Sequence, residues 1–75
     1  MQYTITKHNA ERLGLCQGVL FENKNKFQNP KAPGFIGQVK LSNGDIMQLA
    51  IWESVNNNLR MLTVKVSDQP MQIVD

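Results

Sequence analysis

One cysteine, Cys16, and one histidine, His8, are all this chain offers to most catalytic and metal chemistry. A lone thiol excludes an intramolecular disulfide framework and cannot build a cysteine-based zinc site. As a nucleophile Cys16 would need His8 as its base, across a short stretch that reads as a turn, whereas a small half-buried thiol and a solvated histidine are the ordinary roles of such residues. The acids Glu11, Glu22, Asp45, Glu53, Asp68 and Asp75 are scattered. Asp45 closes a hairpin and Glu53 is expected to face Arg60, which leaves no carboxylate pair for acid–base work. There is no ligand cluster with metal spacing and no glycine-rich phosphate loop. The expectation is a protein that is not an enzyme and carries no cofactor or metal.

Long hydrophobic runs are also missing. The longest, Leu49-Ala50-Ile51-Trp52, is four residues, against about 20 for a membrane-spanning helix. The opening Met1-Gln2-Tyr3-Thr4-Ile5 has no basic stretch followed by an apolar run, so neither signal peptide nor membrane contact is expected and the compartment is read as a cytosol. What remains is an ordinary globular composition, 41% hydrophobic and 19% charged over 75 residues, which makes one small domain over residues 1–75. A chain this short buries only about 60% of its unfolded surface. Its stability margin is small, and homodimerisation would be a natural remedy.

The patterning is that of strands. Gln2–Lys7 alternates, with Tyr3 and Ile5 on one side and Thr4 and Thr6 on the other. His8–Leu13 has room for one helical turn, with Asn9 as N-cap and Gly14 as stop. Leu15–Glu22 reads as a strand with Leu15, Val19 and Phe21 on one face and Gly18 on the other, where a close neighbour or a bulge is expected. Residues 23–34, with two prolines, a glycine and three asparagines, form a long loop. Asn43-Gly44 then separates two alternating segments, Phe35–Ser42 and Asp45–Trp52, and is the preferred pair for a two-residue hairpin turn. That turn would place Phe35 opposite Trp52 and Ile36 opposite Ile51. A second turn centred on Asn56-Asn57 would pair Glu53 with Arg60, Ile51 with Leu62 and Leu49 with Val64. Ser67-Asp68-Gln69-Pro70 closes with a turn, and Met71–Val74 suits an edge strand.

The expected fold is therefore mainly β: a small antiparallel sheet or open barrel of about five strands around a central three-stranded meander, with a short helical turn near the N-terminus. One face of the meander, with Ile36, Ile51, Leu62, Leu49, Val64 and Met47, is the expected core, closed by Tyr3, Ile5, Val19 and Phe21. The other face gathers Phe35, Trp52 and Met61 at one end, an apolar cluster that needs a cover.

Charge is uneven along the chain. No acid falls between Asn23 and Gly44, while Lys24, Lys26, Lys31 and Lys40 all do, with Phe27 among them and Phe35 following. Lysines that follow phosphates beside aromatic faces that stack on bases are what single-stranded nucleic-acid binding requires. The leading expectation is a nucleic-acid-binding domain using Lys24, Lys26, Phe27, Lys31, Lys40, Phe35 and Trp52. The rival is a protein-binding module, an inhibitor or adaptor of a host protein anchored by Phe35, Trp52 and Met61.

Gly18-Val19-Leu20-Phe21, Asn23-Lys24, Pro33-Gly34-Phe35-Ile36-Gly37, the Asn-Gly hairpin, Trp52 and Leu62-Thr63-Val64-Lys65-Val66 together resemble a loose group of small, mostly uncharacterised phage and plasmid proteins. The resemblance spans residues 18–66, with Asn56-Asn57-Asn58 standing where a basic or glycine-bearing turn is usual. It implies a phage- or plasmid-type accessory protein in a bacterial host cytosol and brings no activity with it.

Overall fold

The computed structural model describes residues 3–75, with positions 26 and 27 described by their backbone alone. In chain order the elements are β1 (Thr4–Thr6), α1 (Lys7–Arg12), β2 (Gln17–Glu22), a 3₁₀ turn (Lys24–Phe27), β3 (Phe35–Lys40), β4 (Ile46–Asn56), β5 (Leu59–Val66) and β6 (Gln72–Val74). The domain is mainly β with one short helix. Strands β2-β3-β4-β5 form a four-stranded antiparallel sheet, the expected meander extended by one strand, and β1 pairs in parallel with β6 in a separate two-stranded sheet. The expected first strand shortens to Thr4–Thr6, and its Gln2 lies outside the described residues.

The Asn43-Gly44 hairpin forms, but its turn is one residue longer than expected. The Leu41 N–H donates to the Asp45 carbonyl (2.7 Å) and the Gly44 N–H to the Leu41 carbonyl (3.0 Å), so Ser42, Asn43 and Gly44 make the loop. Only Gly44 takes a positive φ there, +94°. This is the three-residue hairpin in which an ordinary turn is followed by a left-handed glycine. Asn43 Oδ1 accepts from the Asp45 N–H (2.9 Å) and stabilises it. The register consequently slips by one: Phe35 faces Ile51, not Trp52, and Ile36 faces Ala50. A slip of one turns every side chain of a strand to the other face.

The second hairpin also corrects the expected register. Its turn is Asn57-Asn58, both left-handed at φ 53° and 65°, as a two-residue turn of this type demands. Glu53 faces Leu62, Ile51 faces Val64 and Leu49 faces Val66. This slip is by two residues, so partners change while faces do not.

The two slips decide where the core lies. Met47, Leu49, Ile51, Leu62 and Val64 share one face, which Phe35 and Val39 join and Ile36 leaves. On that face, expected to be the core, Ile51 is buried at 5% exposure, but among the described residues no element packs over the β5 side, where Leu62 and Val64 are 59% and 51% exposed. We call it the open face. The core lies on the opposite face, around Ile46, which is 2% exposed and clusters with Ile5, Ala10, Leu13 and Met71. Met71, just before β6, donates its N–H to the Ile46 carbonyl (2.6 Å). Of the residues expected to close the core, Ile5 does so, whereas Tyr3, Val19 and Phe21 stay exposed.

Thr6, not Asn9, caps the helix. Its backbone is extended (φ −70°, ψ 151°) and its hydroxyl accepts from the Asn9 N–H at 3.2 Å, so the helix starts directly where β1 ends. Gly14 does not take the left-handed stop position. The positive φ falls on Cys16, at 61°, in the turn before β2, where its N–H donates to the Lys40 carbonyl (2.8 Å). A left-handed conformation costs a residue with a β-carbon roughly 1–2 kcal/mol, which glycine avoids at some expense in unfolded-chain entropy. Cys16→Gly is therefore expected to stabilise the domain by roughly 0.5 kcal/mol, seen as a higher urea midpoint at unchanged m. A lower midpoint would mean that the thiol makes contacts worth more than the strain.

Candidate nucleic-acid interface

Alternation along the strands sorts the charges of the sheet. Lys40, on β3, and Lys65, on β5, project on the face that carries the core. Glu22, Glu53 and Arg60 belong to the open face. Arg60 Nη2 bonds Glu53 Oε2 at 2.8 Å, diagonally across the hairpin. With side chains 75% and 43% exposed, that pair contributes well under about 1 kcal/mol. The core-bearing face thus receives lysine but no carboxylate from the four-stranded sheet.

Trp52 is the fixed point of this face. Its indole N–H donates to the Lys31 carbonyl (3.0 Å), and Lys65 Nζ lies 5.4 Å from the ring centroid. At that distance the ammonium is attracted by the negative ring face. The indole thereby ties the loop of residues 23–34 to β4. Three further bonds shape the loop: Asn23 Nδ2 to the Pro33 carbonyl (2.8 Å), the Asn23 N–H to the Gly34 carbonyl (2.9 Å), and the Lys31 N–H to Asn29 Oδ1 (3.1 Å). The lysine-rich loop is therefore a held surface and not a loose arm. Lys24 and Lys31 are exposed on it. The side chains of Lys26 and Phe27, both expected to serve the site, lie outside the described residues.

The expected basic cluster divides. Lys40 stands at the hairpin end of β3, about 17 Å of strand away from the loop at the rise of a β-strand. There it lines a cavity of about 240 Å³ with Lys7, Glu11 and Ile46. Between the two groups runs a larger cleft of about 520 Å³, where α1 and β1 approach the sheet, lined by Thr4, Asn9, Arg12, Val19, Phe21 and Gln38 among others. Phe21 is 57% exposed. Neither Phe21 nor Arg12 belongs to the basic stretch by sequence, and only the fold brings them to the walls of one cleft. Lys65 was more accessible to sequence reasoning, since alternation on β5 alone puts it on the same side as Thr63, the residue facing Trp52.

Phe35 is the expected residue that the site loses. It lies opposite Ile51 on the open face, 38% exposed, while Trp52 and Met61 stay together on the core-bearing face, Met61 facing Ser54. The expected Phe35–Trp52–Met61 patch is split across the sheet by the one-residue slip. Among the described residues, no group of three or more His, Cys, Asp or Glu side chains could hold a metal ion, and no helix is long and apolar enough to cross a membrane. Comparison of the chain with protein families, curated proteins and solved structures finds no match.

Proposed function

We propose that this domain binds single-stranded nucleic acid along its core-bearing face, as an accessory protein of the phage or plasmid type that its sequence resembles. The observation that carries the reading is the segregation of charge: Lys40 and Lys65 fall on one face of the sheet with Phe21 and Trp52, and both strand glutamates fall on the other, with Phe35. A strand would run from the cleft floored by Phe21, past Arg12 and Gln38, to the loop end where Lys31, Trp52 and Lys65 converge. Cations that follow the phosphates and exposed ring surface for bases are the two requirements, and the cleft has open space between them. The rival, capture of a host protein by an aromatic anchor, has less support because its three anchor residues do not form one patch.

Titration with short single-stranded DNA while following Trp52 fluorescence tests the proposal, since Trp52 is the only tryptophan. Saturable quenching that weakens with salt is expected, with a slope of log affinity on log salt near roughly −2 to −3 for three or four phosphate contacts. Lys65→Ala should make that slope shallower by about 0.7 and weaken all sequences alike. Absence of binding at low salt, both by fluorescence and by a direct assay, would dispose of the proposal.

A further inference from the structure

The open face is built like the inside of a β-sandwich, with the second sheet missing. The protein exposes 5870 Å², whereas a monomer of 8.5 kDa is expected to expose about 4,650 Å². The excess, about 1,200 Å² by that scaling, exceeds the roughly 800 Å² that each partner contributes to a standard protein interface. Shape agrees with area: the radius of gyration is 13.6 Å, against about 11 Å for a compact domain of this length. Exposed apolar side chains occur on both faces of the sheet, but on the core-bearing face they border the cleft or share the surface with lysine. Leu20, Phe35, Val55, Leu62, Val64 and Val66 share the open face, and each is between 38% and 65% exposed.

We propose that this face is the contact between two copies of the chain, stacked sheet on sheet about 10 Å apart. The distribution of polarity favours a second copy. Toward the hairpin end the face carries only Gly18, Leu20, Gly37, Val39, Met47, Leu49, Val64 and Val66, without a charge, while Glu22, Glu53 and Arg60 all lie toward the loop end. A face whose core is free of charge and whose charges are gathered at one end suits a protein interface, and a copy of itself turned end for end meets it without opposing like charges. Nucleic acid is a poor occupant, because the surface offers phosphate two glutamates and an arginine already bonded to one of them. The surface area to be covered is a permanent requirement of the protomer, and a second copy is the partner always present in equal amount. Pairing on this side leaves both basic faces pointing outward.

Sedimentation equilibrium of the full chain without nucleic acid, from low micromolar to near-millimolar concentration, tests the contact independently of the proposed ligand. The expected mass is twice 8.5 kDa, with a melting temperature that rises with protein concentration. Leu62→Lys keeps a cross-strand partner, Glu53, and should give a monomer. Met61→Lys, the neighbouring residue on the opposite face, should leave the dimer intact. Should Leu62→Lys fail to fold, Val64→Thr keeps the branched shape and should raise the dimer dissociation constant about tenfold or more, as expected for burying one hydroxyl from each copy. A monomer across the whole concentration range overturns the proposal. So does a dimer that Leu62→Lys and Met61→Lys weaken equally, which would place the contact along the β5 edge.

Discussion

Gly37→Ala should cost about 3 kcal/mol or more, toward the upper end of what overpacking does to a protein interior. A β-carbon at Gly37 would run into the Val19 carbonyl oxygen, with the Val19 carbonyl carbon at 2.8 Å and the Leu20 Cα at 2.9 Å. All three atoms are backbone, so none can swing aside, and β2 would have to leave β3. A domain of this size has only about 4–11 kcal/mol in total. The loss should therefore appear as a large drop in melting temperature, together with loss of the cleft that Val19 and Phe21 line. Gly18→Ala is the internal comparison. Its added carbon would meet the Gln38 carbonyl oxygen at 2.9 Å, the Val39 Cβ at 3.2 Å and the Val39 Cα only at 3.4 Å, so a smaller loss is expected. A Gly37→Ala protein that melts like the parent would show that the two strands do not approach so closely.

Ile46→Ala should cost about 2–5 kcal/mol, the range for removing a large aliphatic side chain from a packed interior. Ile46 is the most deeply buried large side chain described, at 2% exposure, and its partners come from β1 (Ile5), from α1 and its C-cap (Ala10 and Leu13) and from the residue before β6 (Met71). Few other residues could compensate. Among the described residues, six hydrophobic ones are buried while fifteen large ones are exposed. Urea denaturation should show the midpoint falling at similar m. A loss below 1 kcal/mol would mean that the cluster collapses onto the gap.

These residues also show what the sequence could and could not convey. Alternation and asparagine-rich turns located the strands of the meander, because period-two patterning and left-handed turn residues are local properties. They could not count the residues inside a turn. Asn43-Gly44 suits a two-residue turn, yet Ser42 joins it and only Gly44 is left-handed. Slipping by one cost the correct face for β4 relative to β3 and separated Phe35 from Trp52. At Asn57-Asn58 the slip was by two, and the faces of β4 and β5 survived it. Both faces of this sheet are apolar enough to be a core, so strand patterning could not decide which one α1 would cover. That choice is made by Ile5, Ala10, Leu13 and Met71, which meet Ile46 only in three dimensions. The basic character of the loop was legible residue by residue. Its rigidity was not, because the bond from Trp52 to the Lys31 carbonyl joins positions far apart in the chain.

The parallel pairing of β1 with β6, Thr4 beside Gln72 and Thr6 beside Val74, closes nearly the whole described chain into one loop. The hairpins of the meander involve neighbours and can form within about 1–10 μs, whereas this clasp must wait for the longest closure in the molecule. During synthesis the hydrophobic cluster under the helix therefore stays incomplete until the last strand has been made. In the finished protein the same pair is the natural place for opening to begin. Its amides should exchange with solvent sooner than those of β3 and β4, and each such opening would uncover Ile46 while leaving the four-stranded sheet standing.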